Sequence, residues 1–342
     1  MKAISFTAPE KVEIVVKDDP KPSYGEVVVR VKSSSLCAAD LDPYHGKAHV
    51  GVGEKGHGSV IPGHEACGVV EKIGPGVDFP NVGERVAVYT FVSCNNCSEC
   101  FSGYWMLCKE ARCLGFDLDG ADAELLLVPA RNCLEIPNWM DFDTGSLTTD
   151  LLGTTYSAAK RIDVNAEDSV AVFGLGPIGI CQVLVCKALG AQVVGIDTVR
   201  ERLEIGKSLG CDEVLDSTQV SDVKGEINKL LGGLPTKSID CSGNARAESE
   251  SLRCVGNHGK VALVGWGLKA EIEPAGQVIT KDLTIRGSWY FNVGDYQKMI
   301  NLVRSKKLPL EKTITHRFKL DQSAEAFLLF DSKKTLKTVL NP

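Results

Sequence analysis

The run Val170-Ala171-Val172-Phe173-Gly174-Leu175-Gly176-Pro177-Ile178-Gly179 decides the fold. Four apolar residues of a buried strand lead directly into G-x-G-x-x-G, and Pro177 stands where a first helical turn needs no N–H. In such a turn one glycine makes the bend, a second lets a pyrophosphate approach the backbone, and a third lets the helix pack on the strand. The unpaired N–H groups of the helix start then face the anion. Further along, Val193-Val194-Gly195-Ile196-Asp197 ends a second strand in an acid. A carboxylate there accepts the ribose hydroxyls and repels a 2′-phosphate, so Asp197 favours NAD, while Arg200 and Arg202 keep NADP as the alternative. Six short apolar runs (170–173, 193–196, 213–215, 239–241, 261–264 and 283–285) alternate with helical stretches at 177–189, 200–209, 223–231 and 245–255. Parallel neighbours need crossovers, so the pattern predicts an α/β, doubly wound parallel sheet.

On either side the texture differs. Before residue 150 the chain predicts short strands at 2–6, 12–16, 26–31, 68–73, 85–89 and 124–128, broken by Gly and Pro. After the sheet come helical stretches at 295–304 and 323–330 and a last strand at 335–340. The simplest arrangement inserts the sheet domain into a β-rich domain to which the C-terminal piece returns. With 342 residues, 44% hydrophobic and 24% charged, the composition is globular and excludes general disorder. A net charge of −6 has the wrong sign for nucleic acid or an anionic membrane surface. No run approaches the roughly 18 apolar residues of a membrane span, and Met1 to Phe6 begins no secretory signal, which predicts a cytoplasmic protein.

Thirteen cysteines in such a chain point to metal or chemistry rather than disulfides. Cys94-x2-Cys97-x2-Cys100-x7-Cys108 offers four thiolates in one loop, the ligand set of a closed tetrahedral structural zinc. The loop from Phe91 to Glu110 has no Arg, which argues against a nucleic-acid knuckle. Cys67, Cys133, Cys181, Cys186, Cys211 and Cys254 are scattered and read as small buried apolar residues. A second set is dispersed: Cys37, and His64-Glu65 after Pro62-Gly63. Spacing alone leaves open whether these are metal ligands or a buried thiol and a hydrogen-bonded imidazole.

Taken together, Cys37-x-x-Asp40, Gly63-His64-Glu65, the four-cysteine loop, Gly174 to Gly179, Asp197, Asp240-Cys241-Ser242-Gly243 and the tail from Ala324 to Phe330 resemble the zinc-dependent medium-chain alcohol dehydrogenases. The resemblance covers essentially the whole chain. It implies a Rossmann domain, 152–289, inserted into a GroES-like catalytic domain formed by 1–151 and 290–342, with the active site in the cleft. It also implies two zinc ions per chain, one structural in the four-cysteine loop and one catalytic on Cys37, His64 and Asp150. Asp150 also reads as a helix N-cap, a role that can coexist with ligation. Glu65 resembles the glutamate behind that metal, which in some members reaches it. Gly174, Leu175, Gly176, Pro177, Ile178, Gly179, Asp197 and Arg202 would hold NAD, and Thr154, Cys241, Ser242, Val264, Gly265 and Trp266 would flank the nicotinamide. The implied activity moves a hydride between NAD and an alcohol or carbonyl substrate, a secondary alcohol or polyol by preference, in a homodimer or homotetramer. Alternatives are an aldehyde-handling enzyme of the formaldehyde type, suggested by Asp150, and a zinc and NAD sensor with low turnover.

In one place the chain departs from the resemblance. Two residues after the zinc cysteine the family has Ser or Thr, whose hydroxyl starts a proton relay, often continued by His three residues on. Here stand Ala39 and Asp42. A methyl group cannot shuttle a proton, so the candidate acceptors are Asp42, His45 and Glu65, reached through water. The glycine-rich stretch from His45 to His57 reads as a loop near the substrate mouth, and His45, His49 and His57 as loop residues rather than a metal site.

Overall fold

The structure, a computed structural model, describes residues 1–49, 60–267 and 269–342; His57 and most of the glycine-rich stretch lie outside the described residues. The chain forms two units, one of Met1–Asp150, Asn292–Tyr296 and Glu311–Pro342, the other of Leu151–Phe291 and Gln297–Leu310. Gln297–Leu310 thus groups with the second unit, a division of the C-terminal piece that the sequence pattern does not show.

The second unit is built on a six-stranded sheet whose strands, numbered within this sheet alone, are β1 (Ser169–Phe173), β2 (Gln192–Asp197), β3 (Glu213–Asp216), β4 (Lys237–Asp240), β5 (Lys260–Leu263) and β6 (Thr284–Gly287). Every pairing is parallel, and the order is β3-β2-β1-β4-β5-β6. This is the doubly wound order, with its reversal between β1 and β4. One face buries Ala171, Phe173, Val194, Ile196 and Leu215 against Val223, Ile227 and Leu252 of the helices Val223–Leu231 and Ala245–Cys254. The second of these helices is closed at both ends by side chains. The Asn244 carbonyl oxygen accepts from the N–H groups of Arg246 and Ala247. The buried Lys281 ammonium donates to the carbonyls of Leu252, Arg253 and Val255.

The first unit centres on a seven-stranded sheet. Its long strand Glu26–Ser35 pairs antiparallel with Glu65–Ile73, with Leu125–Pro129 and with the C-terminal strand Lys337–Asn341. Val339 faces Ser35 and Leu340 faces Ser34, so the tail does return to the β-rich unit. Ser35 also stands opposite Glu65. Cys37, Glu65 and Lys337 therefore come from the ends of three neighbouring strands, although 272 positions of sequence separate the last two.

Candidate active site and metal centres

At that sheet edge Cys37, His64, Glu65 and Asp150 each offer a ligand atom, all within 4.8 Å of one another. The local turn explains the convergence. Asp40, buried in the turn Ala38–Asp40, accepts the Cys37 backbone N–H on Oδ2 at 2.8 Å and the His64 Nδ1–H on Oδ1 at 2.9 Å. One carboxylate thus fixes both a thiol-bearing backbone and an imidazole, and it leaves His64 Nε2 as the ring's ligand atom. Nε2 lies 3.4 Å from Asp150 Oδ2. Behind them the Lys337 ammonium donates to Glu65 Oε1 at 2.5 Å and to the Leu36 carbonyl at 2.7 Å, with both charged side chains almost wholly buried.

The electrostatics are those of a crowded anionic pocket. Burial pushes the Cys37 thiol up to about 11, and the Asp150 charge adds to this. Burial raises the Glu65 carboxyl to about 8 against the pull of Lys337. Burial opposes charge on His64, yet Asp40 and Asp150 carry its imidazole well above the usual value. Asp150 is buried too, and the bond to His64 together with the His64 and Lys337 charges holds its carboxyl below the ordinary range. Glu65 Oε2 is buried without a hydrogen-bond partner among the described residues. A sulfur, an imidazole nitrogen and two carboxylates around one point, with one acceptor left over, are the donor set of a divalent cation.

The four-cysteine loop forms the second centre. Sγ atoms of Cys94 and Cys108, and of Cys97 and Cys100, lie 3.5 Å apart, and all four fall within 4.8 Å. The Asn96 N–H donates to Cys94 Sγ and the Glu110 N–H to Cys108 Sγ, both at 3.4 Å. Arg131 stacks over the Trp105 ring at 4.9 Å and donates to the Ser93 carbonyl, and its charge is felt by Cys94, Cys100 and Cys108. Cys94→Ser should lower the urea resistance of this unit, because metal affinity in such a loop is folding free energy. Unfolding unchanged by the substitution or by a chelator would rule out a structural role.

In the other unit the dinucleotide fingerprint has the predicted shape. Gly174 has φ +83°, and a Cβ on Gly179 would sit 1.7 Å from the Gly174 carbonyl oxygen. A Cβ on Gly176 would meet no protein atom within 4 Å, so the fold itself leaves space at this point of the turn. Gly176 caps the helix Pro177–Ala188, with Pro177 in its first turn. The Asp197 carboxylate closes the loop: Oδ2 accepts the Leu175 N–H at 2.6 Å, and Oδ1 accepts those of Thr198 and Val199. Arg202 lies 4.0 Å from it.

Residues 23–138 match the alcohol dehydrogenase GroES-like domain, and residues 177–305 the zinc-binding dehydrogenase domain. The chain belongs to the zinc-binding medium-chain alcohol dehydrogenase family. It is 32% identical to an L-threonine 3-dehydrogenase of Pyrococcus horikoshii, over 99% of this chain and 98% of that one. It is 29% identical to a sorbitol dehydrogenase of Halalkalibacterium halodurans, over 100% and 99%. An alcohol dehydrogenase of Escherichia coli CFT073, solved with NADH, superposes with a TM-score of 0.90 at 30% identity, covering 100% of this chain and 99% of that one.

The remaining expected residues of this dehydrogenase fall as follows. Cys241 and Ser242 follow β4, and Val264, Gly265 and Trp266 follow β5. The two loops abut, since the N–H groups of Val264 and Gly265 donate to the Asp240 carbonyl, and a Cβ on Gly265 would strike the Gly243 nitrogen. Thr154 is buried in the helix Leu151–Arg161 that follows Asp150. Of the expected proton acceptors, Glu65 is in the cluster, but His45 Nε2 is taken up by Asp331 of the helix Ser323–Asp331 at 3.1 Å. Asp42 instead holds His49, at 2.6 Å. One partner of the cluster escapes sequence reasoning: Lys337, which did carry a signal, a lysine at the mouth of the apolar strand Lys337-Thr-Val-Leu, where a charge needs a buried partner.

Proposed function

We propose that this dehydrogenase oxidises secondary alcohols or polyols with NAD, using zinc held by Cys37, His64 and Asp150 with Glu65 beside it, and a second zinc held by Cys94, Cys97, Cys100 and Cys108. The observation that carries the reading is the cluster of a half-buried sulfur, a buried imidazole and carboxylates, with His64 oriented by Asp40. Bound there, zinc supplies Lewis acidity to an alcohol oxygen, and NAD supplies the hydride acceptor. The protein's own groups do the rest. Asp40 sets the imidazole, Lys337 donates to Glu65 and offsets part of the cost of its burial, and the glycine loop and helix start hold the pyrophosphate. The thirteen free thiols suit a reducing, cytoplasmic setting. An NADH absorbance screen over primary, secondary, aromatic and polyol alcohols tests the reading. Turnover confined to aldehydes would favour the formaldehyde type, and none at all a sensor.

Asp197 underlies the choice of NAD. Asp197→Gly should shift the NADP to NAD ratio of kcat/KM by about ten-fold or more, or roughly 1.4 kcal/mol. Because three backbone N–H groups lose their acceptor, stability should fall by about 1–3 kcal/mol, so the ratio rather than the rate is the measure. Wild-type preference for NADP would refute the assignment.

A further inference from the structure

One buried acid of the β-rich unit has no part in the chemistry described so far. Asp122 is wholly buried, and so is Ser34, whose hydroxyl donates to Asp122 Oδ1 at 2.6 Å. Asp122 Oδ2 is buried without a hydrogen-bond partner among the described residues. Burial pushes this carboxyl up to about 7, the Asp40 charge adds to the rise, and the Ser34 hydroxyl and the His64 charge oppose it. An apolar side chain would fill the same place without that cost, so the polar group calls for another explanation.

The two residues belong to the two segments that bring in the cysteine and histidine of the cluster. Ser34 lies in the strand Glu26–Ser35, three positions before Cys37. Asp122 ends a short backbone ladder on the turn before His64: the N–H groups of Gly120, Ala121 and Asp122 donate to the carbonyls of Ile61, Gly63 and Pro62. Gly63 has φ +92°, and a Cβ there would lie 2.4 Å from Asp122 Oδ1, so the acid occupies the space that the glycine leaves. The Ser34–Asp122 hydrogen bond therefore ties the strand end leading to Cys37 to the turn that presents His64. Asp40 joins the same two segments a second time, through the Cys37 N–H and the His64 ring.

We infer that Asp122 is a positioning residue of the Cys37 metal centre, holding the His64 turn in register with the Cys37 strand through the Ser34 hydroxyl. The inference rests on the reading of Cys37, His64 and Asp150 as zinc ligands. A cation gains most from donors that already stand at the right spacing, and losing an outer group that sets the spacing typically costs about 10–100-fold in metal affinity. What the acid supplies is an acceptor oxygen. An amide should serve in its place and a hydrocarbon should not.

Cobalt(II) loaded into the Cys37 centre, with zinc left in the four-cysteine centre, reads the outcome through its visible bands and its Kd. Asp122→Leu should weaken cobalt binding by about 10–100-fold and move the bands. Ser34→Ala, which keeps the acid and removes its donor, should act in the same direction by about ten-fold, while Asp122→Asn restores both readouts toward wild type. Adding Ser34→Ala to Asp122→Leu should cost nothing further, because the shared bond is already lost. Zinc should stay in the four-cysteine centre throughout. If Asp122→Leu does not fold, Ser34→Ala and Asp122→Asn still decide. Ser34→Ala with the wild-type bands and Kd would overturn the inference, even at a lower urea midpoint, since that is packing alone. So would an Asp122→Asn protein that loses cobalt as a hydrocarbon variant should. A wild type that binds one metal ion per chain would instead remove the Cys37 centre, and the zinc reading and this inference would fall together.

Discussion

Cys37→Ser should lower alcohol oxidation by about 10³-fold or more and leave about one zinc ion per chain where the wild type holds about two. The rate follows from Lewis acidity, which is worth several kcal/mol of transition-state stabilisation, each factor of ten being about 1.4 kcal/mol. Serine keeps the shape of the site but replaces a soft thiolate with a hydroxyl that ionises far less readily. The Cys94 centre shares no residue with the cluster of Cys37, His64, Glu65 and Asp150, so its metal should survive. Elemental analysis alongside kcat/KM separates the outcomes. Two ions retained with full activity would show that Cys37 is not a ligand, whereas one ion retained with full activity would show that the chemistry lies elsewhere.

Lys337→Met should destabilise the β-rich unit by about 3–5 kcal/mol, the scale for removing one partner of a buried ion pair. Both side chains are buried, and Glu65 Oε1 has its bond from Lys337 while Oε2 has none among the described residues. Removing the ammonium leaves a carboxylate enclosed without a counter-charge, or forces it to take up a proton. The Leu36 carbonyl loses its donor as well. Glu65→Gln combined with Lys337→Met should recover much of the stability, since it removes both charges together. Urea unfolding of the three proteins reads the result. A single variant within about 0.5 kcal/mol of wild type would mean the pair carries no net stability.

The parallel sheet was legible because its strands are buried on both faces and read as apolar runs, each followed by an amphipathic stretch or a glycine turn. All six appear within a residue or two of their expected limits. The strand Ile314–Lys319 was not legible: only Ile314 and Phe318 are buried, and an irregular register between Ile314 and His316 breaks the alternation. The four-cysteine centre could be read from one loop because its ligands are local. The other cluster was legible only through resemblance, since nothing in the distance from Cys37 to Asp150 says that two strand ends and a helix start meet. His49 illustrates the limit further. Its hydrogen-bond partner Asp42 is seven residues away, but the aromatic ring it packs near, that of Phe116, comes from a distant part of the sequence.

The strand Lys337–Asn341 has a consequence for how the protein comes to exist. During synthesis the segment Leu151–Phe291 leaves the ribosome with its strands and crossovers in sequence order, so its contacts can form as it emerges. The β-rich unit cannot do the same. Ser34 and Ser35 wait for Leu340 and Val339, and Glu65 waits 272 positions for its cation. Until then Ser34 and Ser35, at the end of Glu26–Ser35, lack their partner on that side and Glu65 lacks its cation, which makes this nascent unit the segment a chaperone has most reason to hold. Ribosome-stalled chains ending before Thr335 should therefore show a protease-resistant parallel-sheet unit beside a protease-sensitive β-rich one.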